Sequence, residues 1–319
     1  MDKLRSILNL GQDFSILVFF GVKVGNEIVM KKADIQPGAL ADLANAYKNS
    51  ILAVVEEFDA DDEKSVLHLS EVDDRANVVV HYDLDEGEPE FFNKMREVAE
   101  HHETVYWTGE KMFNFTAEAD KLANIKYFVM RLGSEDNHIE VYTPNYPINL
   151  YRRDKGFVML FRSDTQFAGV EGDLLRISAK IDVVYWDNKF FILDQKMTET
   201  HPDFVVCIQK KAASAIDIID GLNLVADVAP LRNRVSEVPF AKRIMKAVYS
   251  SHVINLSAEE ITAFVRNNEK VNKCLPIKDD KLEILTNKSQ NMLLKVLNDD
   301  ILKSNLTKKD YKSRAKDSF

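Results

Sequence analysis

A change of hydrophobic period close to residue 200 constrains this chain more than any other feature. From 125 to 196, short apolar runs are separated by turn residues: "IKYFVMRL", "HIEVYTP", "GFVMLFR", "LLRISAKIDVVYW" and "KFFILDQ", broken at Gly133, Asp136-Asn137, Gly156 and Gly172. After Pro202 the apolar residues fall three and four apart, at Val205, Ile208, Ala212, Ala215, Ile219 and Leu222, and Gly221 marks a stop. Period two buries one face of a sheet, and period 3.6 buries one stripe of a helix, so the two stretches form different kinds of element. The reading is α+β. A mixed β-sheet N-terminal region over 1–200, strand-rich over 125–196, is followed by a mostly helical C-terminal domain over 201–319 with a basic end.

The remaining segments fit that division. "FSILVFFGVKV" and "EIVMKK" read as strands around Gly25-Asn26, a hairpin signal. Pro37 opens a helix running to about Phe58, with Leu40, Leu43, Tyr47, Ile51, Val55 and Phe58 as its buried stripe. "ANVVVHYDL" reads as a strand and "PEFFNKMREVAEHH" as a helix. Beyond 202, further helices are expected in "PFAKRIMKAVYSS", from the Ser257/Glu260 capping box in "SAEE", and through "SQNMLLKVLNDDILKS".

A length of 319 residues suits two domains, and 45% hydrophobic with 29% charged residues is ordinary for a globular chain. Cys207 and Cys274 are the only cysteines, which excludes a disulfide framework and fits a reducing cytoplasm. The longest apolar run, "FSILVFFGV", has nine residues, half of what a spanning helix needs, and the start lacks the apolar core of a signal peptide. Membrane association is therefore expected only through a partner, without direct insertion.

A formal charge of −9 excludes a protein that coats nucleic acid with its whole surface. The charge is unevenly placed. Residues 56–103 hold 17 acidic and 4 basic side chains, whereas 231–319 hold 18 basic and 11 acidic. An acidic front and a basic back imply two surfaces with different partners. Segments 56–63 and 83–90 are available to meet a basic partner or to oppose misplaced DNA.

The run "KIDVVYWDNKFFILDQKM" at 180–197 raises the one candidate for catalysis. Metal-dependent phosphodiester cleavage of the PD-(D/E)xK type needs carboxylates to hold a divalent cation and a lysine near the attacking water. Asp182, Asp194 and Lys196 supply those groups. A three-residue loop, Asp187-Asn188-Lys189, would set all three on one face. A two-residue loop would pair Asp182 with Leu193 and turn Asp194 away. Asn tolerates the left-handed conformation that either loop requires, so composition leaves the register open. The alternative is a structural hairpin with polar ends.

Other chemistry finds no motif. There is no glycine-rich phosphate loop, no nucleophile elbow and no Cys-x-x-Cys. Seven histidines are scattered, and only His101 and His102 adjoin, pointing about 100° apart on a helix. No metal and no cofactor is expected, and a non-enzymatic role is favoured over an enzymatic one.

The basic end offers the strongest binding signal. Residues 288–319 contain eight lysines and arginines against four aspartates, with Tyr311 and Phe319 interleaved. Lys295, Lys303, Lys308, Lys309, Lys312, Arg314 and Lys316 are the candidate contacts to backbone phosphates, whose neutralisation releases condensed counterions. The competing explanation is a solvated helical stripe in which Lys295, Asp299 and Lys303 stand four apart as ion pairs.

"LLKVLNDDILKSNLTKKDYKSRAK" at 293–316 resembles the C-terminal signature of the KwaB-type soluble subunits of Kiwa anti-phage defence systems. The matching residues are Asn298, Asp299, Asp300, Ser304, Leu306, Thr307, Tyr311 and Ser313. "KIDVVYWDNKFFILDQ" is similar to that family's central hairpin, although the ending Asp194-Gln195-Lys196 departs from it. The likeness is most specific over 150–319. It implies a DNA-binding effector that blocks access to phage DNA, forms a homo-oligomer, and is held at the inner membrane by a small multi-helix membrane protein. A protein-interaction scaffold that ignores DNA is the remaining alternative.

Overall fold

The computed structural model describes residues 1–60, 66–72, 79–103, 109–117, 121–151, 160–163, 166–169, 172–303 and 310–312. The chain begins with α1 (Asp2–Leu8), β1 (Ser15–Val24), β2 (Glu27–Lys32), α2 (Pro37–Asp59), β3 (Val66–His68), β4 (Val79–His81) and α3 (Glu90–Glu100). A strand-rich stretch follows: β5 (Ile125–Gly133), β6 (His138–Pro144), β7 (Leu150–Tyr151), β8 (Leu160–Ser163), β9 (Gln166–Gly169), β10 (Leu174–Leu175), β11 (Val183–Trp186) and β12 (Lys189–Ile192). Helices then dominate: α4 (Gln195–Thr198), α5 (Pro202–Gly221), α6 (Ala229–Arg232), α7 (Val238–Tyr249), α8 (Ala258–Asn267) and α9 (Glu269–Asn272). The end carries β13 (Ile277–Lys278), β14 (Lys281–Leu282), α10 (Asn287–Leu297), β15 (Ile301–Lys303) and β16 (Asp310–Lys312).

The fold is α+β, as the change of period implies. Strands of the N-terminal half pair both ways: β2-β1-β5-β6-β11-β12 run antiparallel in that order, while β3 and β4 are parallel. The chain divides into two compact units, Met1–Glu63 with Phe91–Asp194, and Lys64–Glu90 with Gln195–Phe319. Among the described residues no helix is long and apolar enough to cross a membrane.

In the first unit the antiparallel sheet is covered on both faces. Ile16, Val18 and Phe20 of β1 stand opposite Leu132, Met130 and Phe128 of β5, and Ile139 and Val141 of β6 continue that face. These residues share a core with Leu4 and Ile7 of α1 and Tyr47, Ile51 and Val55 of α2, the stripe legible from sequence spacing. The other face meets α3: Phe92 stacks on Phe190 with ring centres 3.8 Å apart, and Phe91 lies 4.6 Å from Tyr142. Gly133 ends β5 at φ 125°, and a Cβ there would sit 2.2 Å from the Asn137 carbonyl oxygen, so the turn into β6 requires glycine.

The α3-covered face contains a charged pair. Arg131 of β5 and Glu140 of β6 are register partners, and Arg131 Nη1 donates to Glu140 Oε1 at 2.8 Å with both side chains nearly inaccessible. Burial pushes the Glu140 carboxyl up to about 7 and the guanidinium down, while each partner's charge opposes that displacement in the other. His138 lies 2.9 Å from Arg131 Nη2 through Nδ1. Burial and the Arg131 charge lower its pKa to about 4, against the pull of the Glu135 carbonyl oxygen 2.9 Å from the same Nδ1.

The second unit is built on α5 and α7. Phe204, Ile208, Ala212, Ala215, Ile216 and Ile219 of α5 are buried, as are Phe240, Ile244, Met245 and Val248 of α7. The expected capping box at Ser257 and Glu260 starts α8. One expectation needs correction. The helix anticipated through residue 304 stops at Leu297, because Asp299 adopts φ 51° and Asn298 Nδ2 donates to Asp300 Oδ1 at 2.7 Å. Residues 301–303 instead form β15, paired antiparallel with β16.

The covered Arg131–Glu140 pair generates a prediction. Glu140→Ala leaves a buried guanidinium uncompensated and should lower unfolding free energy by about 3–5 kcal/mol in urea denaturation. Arg131→Met with Glu140→Leu removes both charges and should lose far less.

Candidate functional site

The structure resolves the register of the β11–β12 hairpin. Trp186 pairs with Lys189, and Asp187 and Asn188 form the loop at φ 53° and 56°, so it is a two-residue turn of the twist-compatible kind. Tyr185 Oη donates to Asn188 Oδ1 at 2.8 Å and braces the turn. Asp182 therefore stands opposite Leu193, whose amide donates to the Asp182 carbonyl at 2.8 Å. Strict alternation would send Asp194 to the opposite face.

Asp194 nevertheless reaches the same place as Asp182, because the ladder has ended. The strand β12 stops at Ile192, and the Asp194 amide also donates to the Asp182 carbonyl, at 3.2 Å. Both carboxylates then meet one side chain the hairpin motif does not include, Lys180. Its Nζ is 3.2 Å from Asp182 Oδ1 and donates to Asp194 Oδ2. Burial opposes the Lys180 charge, but the two carboxylates outweigh it and raise its pKa. Asp182, almost wholly buried, is pushed by burial up to about 6 against the pull of Lys180.

A short polar chain extends the cluster. Thr143 Oγ1 donates to the Lys180 carbonyl at 2.6 Å. The buried hydroxyl of Tyr47, from α2, is shared between Thr143 Oγ1 at 3.1 Å and the Ser178 carbonyl at 3.2 Å. Burial raises the Tyr47 pKa, so the phenol is a fixed donor. Together these bonds hold the segment before β11 in place. Chemically, an ammonium occupies the position between two carboxylates that a nuclease would give to a divalent cation. Lys196 lies on α4, in the other unit. Among the described residues, no group of three or more His, Cys, Asp or Glu side chains could hold a metal ion. Lys180 was legible only as the residue two before Asp182, the spacing that shares a strand face.

The basic candidates are unevenly placed. Lys295 is half-buried in the last turn of α10. Lys303 is the register partner of Asp310, and Lys312 that of Ile301, so positions 303 and 312 fall on the same face of the β15–β16 ladder. The Lys295-Asp299-Lys303 helical stripe does not form, since α10 ends before Asp299. Lys308, Lys309, Arg314 and Lys316, with Ser304, Leu306, Thr307 and Ser313, lie outside the described residues. Acidic segment 83–90 is partly engaged: Lys211 Nζ lies 3.6 Å from Asp85 Oδ2 and 3.4 Å from Glu86 Oε1.

These features define an α+β protein whose central hairpin is closed by its own ammonium ion and whose cationic residues gather at the C-terminus. Residues 122–307 match the family described as "Kiwa protein KwaB-like", and the chain belongs to that family as a component of Kiwa anti-phage defence. It is similar to the Kiwa protein KwaB of Escherichia coli O55:H7 (strain RM12579 / EPEC), with 25% identity over 308 residues, covering 94% of this chain and 94% of that one. No solved structure matches the chain significantly.

The Asp182 carboxyl gives the fold a pH signature. Its pKa is 3.8 in the unfolded reference and about 6 in the folded protein, so the folded state holds the proton more tightly. The contribution is complete below the lower value and is lost as pH rises through the upper one, on the order of 3 kcal/mol over that window. Urea midpoints measured between pH 4 and 7 should fall with rising pH more in the wild type than in a protein lacking the Asp182 carboxyl, the opposite trend from His138 being common to both. Asp182→Asn should flatten that part of the profile.

Proposed function

We propose that this chain is a DNA-binding effector of Kiwa defence that grips backbone phosphates with its C-terminal cations and so obstructs processes needing access to phage DNA. The observation that carries the reading is the excess of lysine and arginine over aspartate in 288–319, on a chain of the KwaB-like family. Lys295, Lys303, Lys308, Lys309, Lys312, Arg314 and Lys316 are the assigned contacts. Phosphate neutralisation by such a set is independent of sequence and sensitive to salt. Asn298 to Asp300 take no phosphate. Their amide and carboxylates set the break after α10 that lets the chain turn into β15.

In this reading the protein works as a homo-oligomer at the inner membrane, attached through a small multi-helix membrane protein of the same system. No cofactor takes part. The acidic residues of 56–63 and 83–90 that Lys211 does not engage face a basic partner surface.

A salt-dependent gel shift tests the proposal, run without and with Mg²⁺. Neutralising Lys308, Lys309, Lys312 and Arg314 together should weaken binding to every DNA sequence alike. It should also flatten the dependence of log K on log salt by about one unit for each phosphate that is no longer neutralised. Cleavage that depends on Mg²⁺ would favour the nuclease reading through Asp182, Asp194 and Lys196. Absence of both shift and cleavage would leave a scaffold.

A further inference from the structure

On the α3-covered face of the first unit lies a cleft of about 330 Å³, at the small end of ligand-site sizes. The sheet register sets its floor. Leu17 of β1 stands opposite Arg131 of β5, and Lys32 of β2 stands opposite Phe19, two residues along β1 from Leu17. Direct partners and alternate residues share a face, so Lys32, Leu17 and Arg131 line the same side of the sheet. The half-buried Leu17 is an apolar strip on the strand between the two cations.

The walls come from two loops, His102 and Glu103 after α3 and Ser134 and Glu135 after β5. The second loop is braced. Ser15 Oγ donates to the Gly133 carbonyl at 2.7 Å, the Ser134 amide donates to the Asn137 carbonyl at 2.9 Å, and the Asn137 amide returns a bond to Ser134 Oγ at 3.1 Å. His102 Nδ1 lies 3.1 Å from the Ala99 carbonyl, which only accepts, so in the neutral ring Nδ1 carries the hydrogen and Nε2 is left as an acceptor.

The charges around this cleft do not close on one another. Arg131 is already engaged by Glu140, by the Glu135 carbonyl at 3.3 Å and by His138, and the Glu135 carboxylate acts on it only through space. Among the described residues, neither the Lys32 ammonium nor the Glu103 and Glu135 carboxylates makes a hydrogen bond or ion pair. One cation and two anions thus face the same cleft while staying more than 4.0 Å apart.

We propose that this cleft binds a small zwitterion whose carboxylate and amine sit at opposite ends of a short carbon chain. The carboxylate meets Lys32, the stem lies on Leu17, and the ammonium meets Glu103 and Glu135, with His102 Nε2 as a further acceptor. An anion alone would desolvate the two glutamates without a partner, and a cation alone would do the same to Lys32. The outer strands β2 and β5 lie two strand spacings apart, roughly 10 Å, which suits separated charges better than adjacent ones. None of these residues belongs to the cationic C-terminus, so the site stands apart from the DNA reading.

Ligand-observed NMR titration of the full chain with ε-aminocaproate, hexanoate and hexylamine tests this. The zwitterion should bind in the millimolar range or tighter. Hexanoate and hexylamine, each lacking one charge-assisted contact, should bind about tenfold more weakly. Lys32→Met and Glu103→Gln/Glu135→Gln should each weaken ε-aminocaproate binding about tenfold. Lys31→Met, on the opposite face of β2, should match the wild type. No saturation transfer to ε-aminocaproate at millimolar concentration, or equal affinity for hexanoate, would overturn the proposal. Unchanged affinity in either the Lys32 or the Glu103/Glu135 variant would overturn it equally.

Discussion

A sheet packed by helices on both faces leaves the middle of its central strands little access to water, and that constraint organises the first unit. Polar side chains buried in this sheet are costly unless they are paired inside the protein, since an unpaired buried group costs more than the bond it could make is worth. Arg131 and Glu140 satisfy one another across neighbouring strands. Thr143 is satisfied by a carbonyl and by the Tyr47 hydroxyl from α2. Asp182 is met by Lys180, from the approach to its own strand. The three solutions differ in kind. The first is a cross-strand ion pair, the second joins helix to sheet, and the third closes the open end of a hairpin.

The third solution decides what the hairpin can do. Two carboxylates brought together without a cation repel each other, and at the end of a sheet something must supply positive charge. Here the chain supplies it. Lys180 is half exposed, so its amine reaches the carboxylates from the solvent side while Asp182 remains buried beneath it. A divalent ion would have to displace a tethered ammonium that is held at high effective concentration. This arrangement favours a structural lock over a catalytic cation site, and it does so through geometry that the two-residue turn fixes.

Much of the fold was legible because periodicity reports burial directly. The β1–β2 hairpin, the Pro37 helix with Tyr47, Ile51 and Val55 on its buried stripe, the β5 and β6 runs, and the capping box of α8 all follow from residue spacing. The misses have one common cause. Spacing tells which face a side chain takes within an element, but not where the element ends. The helix expected through 304 failed at Asp299, where local polar bonds and a left-handed residue outweigh helix propensity. Spacing left the Asp182–Asp194 encounter open, and the register with which it was linked is not the one that forms: the two meet just beyond the last ladder pair, where alternation no longer applies. His68 of β3 and His81 of β4, register partners thirteen residues apart, were invisible as neighbours because parallel pairing joins residues whose separation carries no signature.

Charge shows the same limit in another form. Sequence counts place an acidic excess in front and a basic excess behind, but a count cannot say which charges are already neutralised. Lys211 lies against Asp85 and Glu86 and over the Tyr249 ring at 4.6 Å, so part of the anionic character of 83–90 is consumed within its own unit. At the C-terminal end, the β15–β16 register sets positions 303 and 312 on one face, with Asp310 opposite Lys303. For a chain carrying −9 overall, attraction to a polyanion depends on such local excess, because beyond about 8–10 Å physiological salt screens the remaining acids from an approaching phosphate. In the DNA complex proposed above, short-range cations would therefore decide whether contact holds.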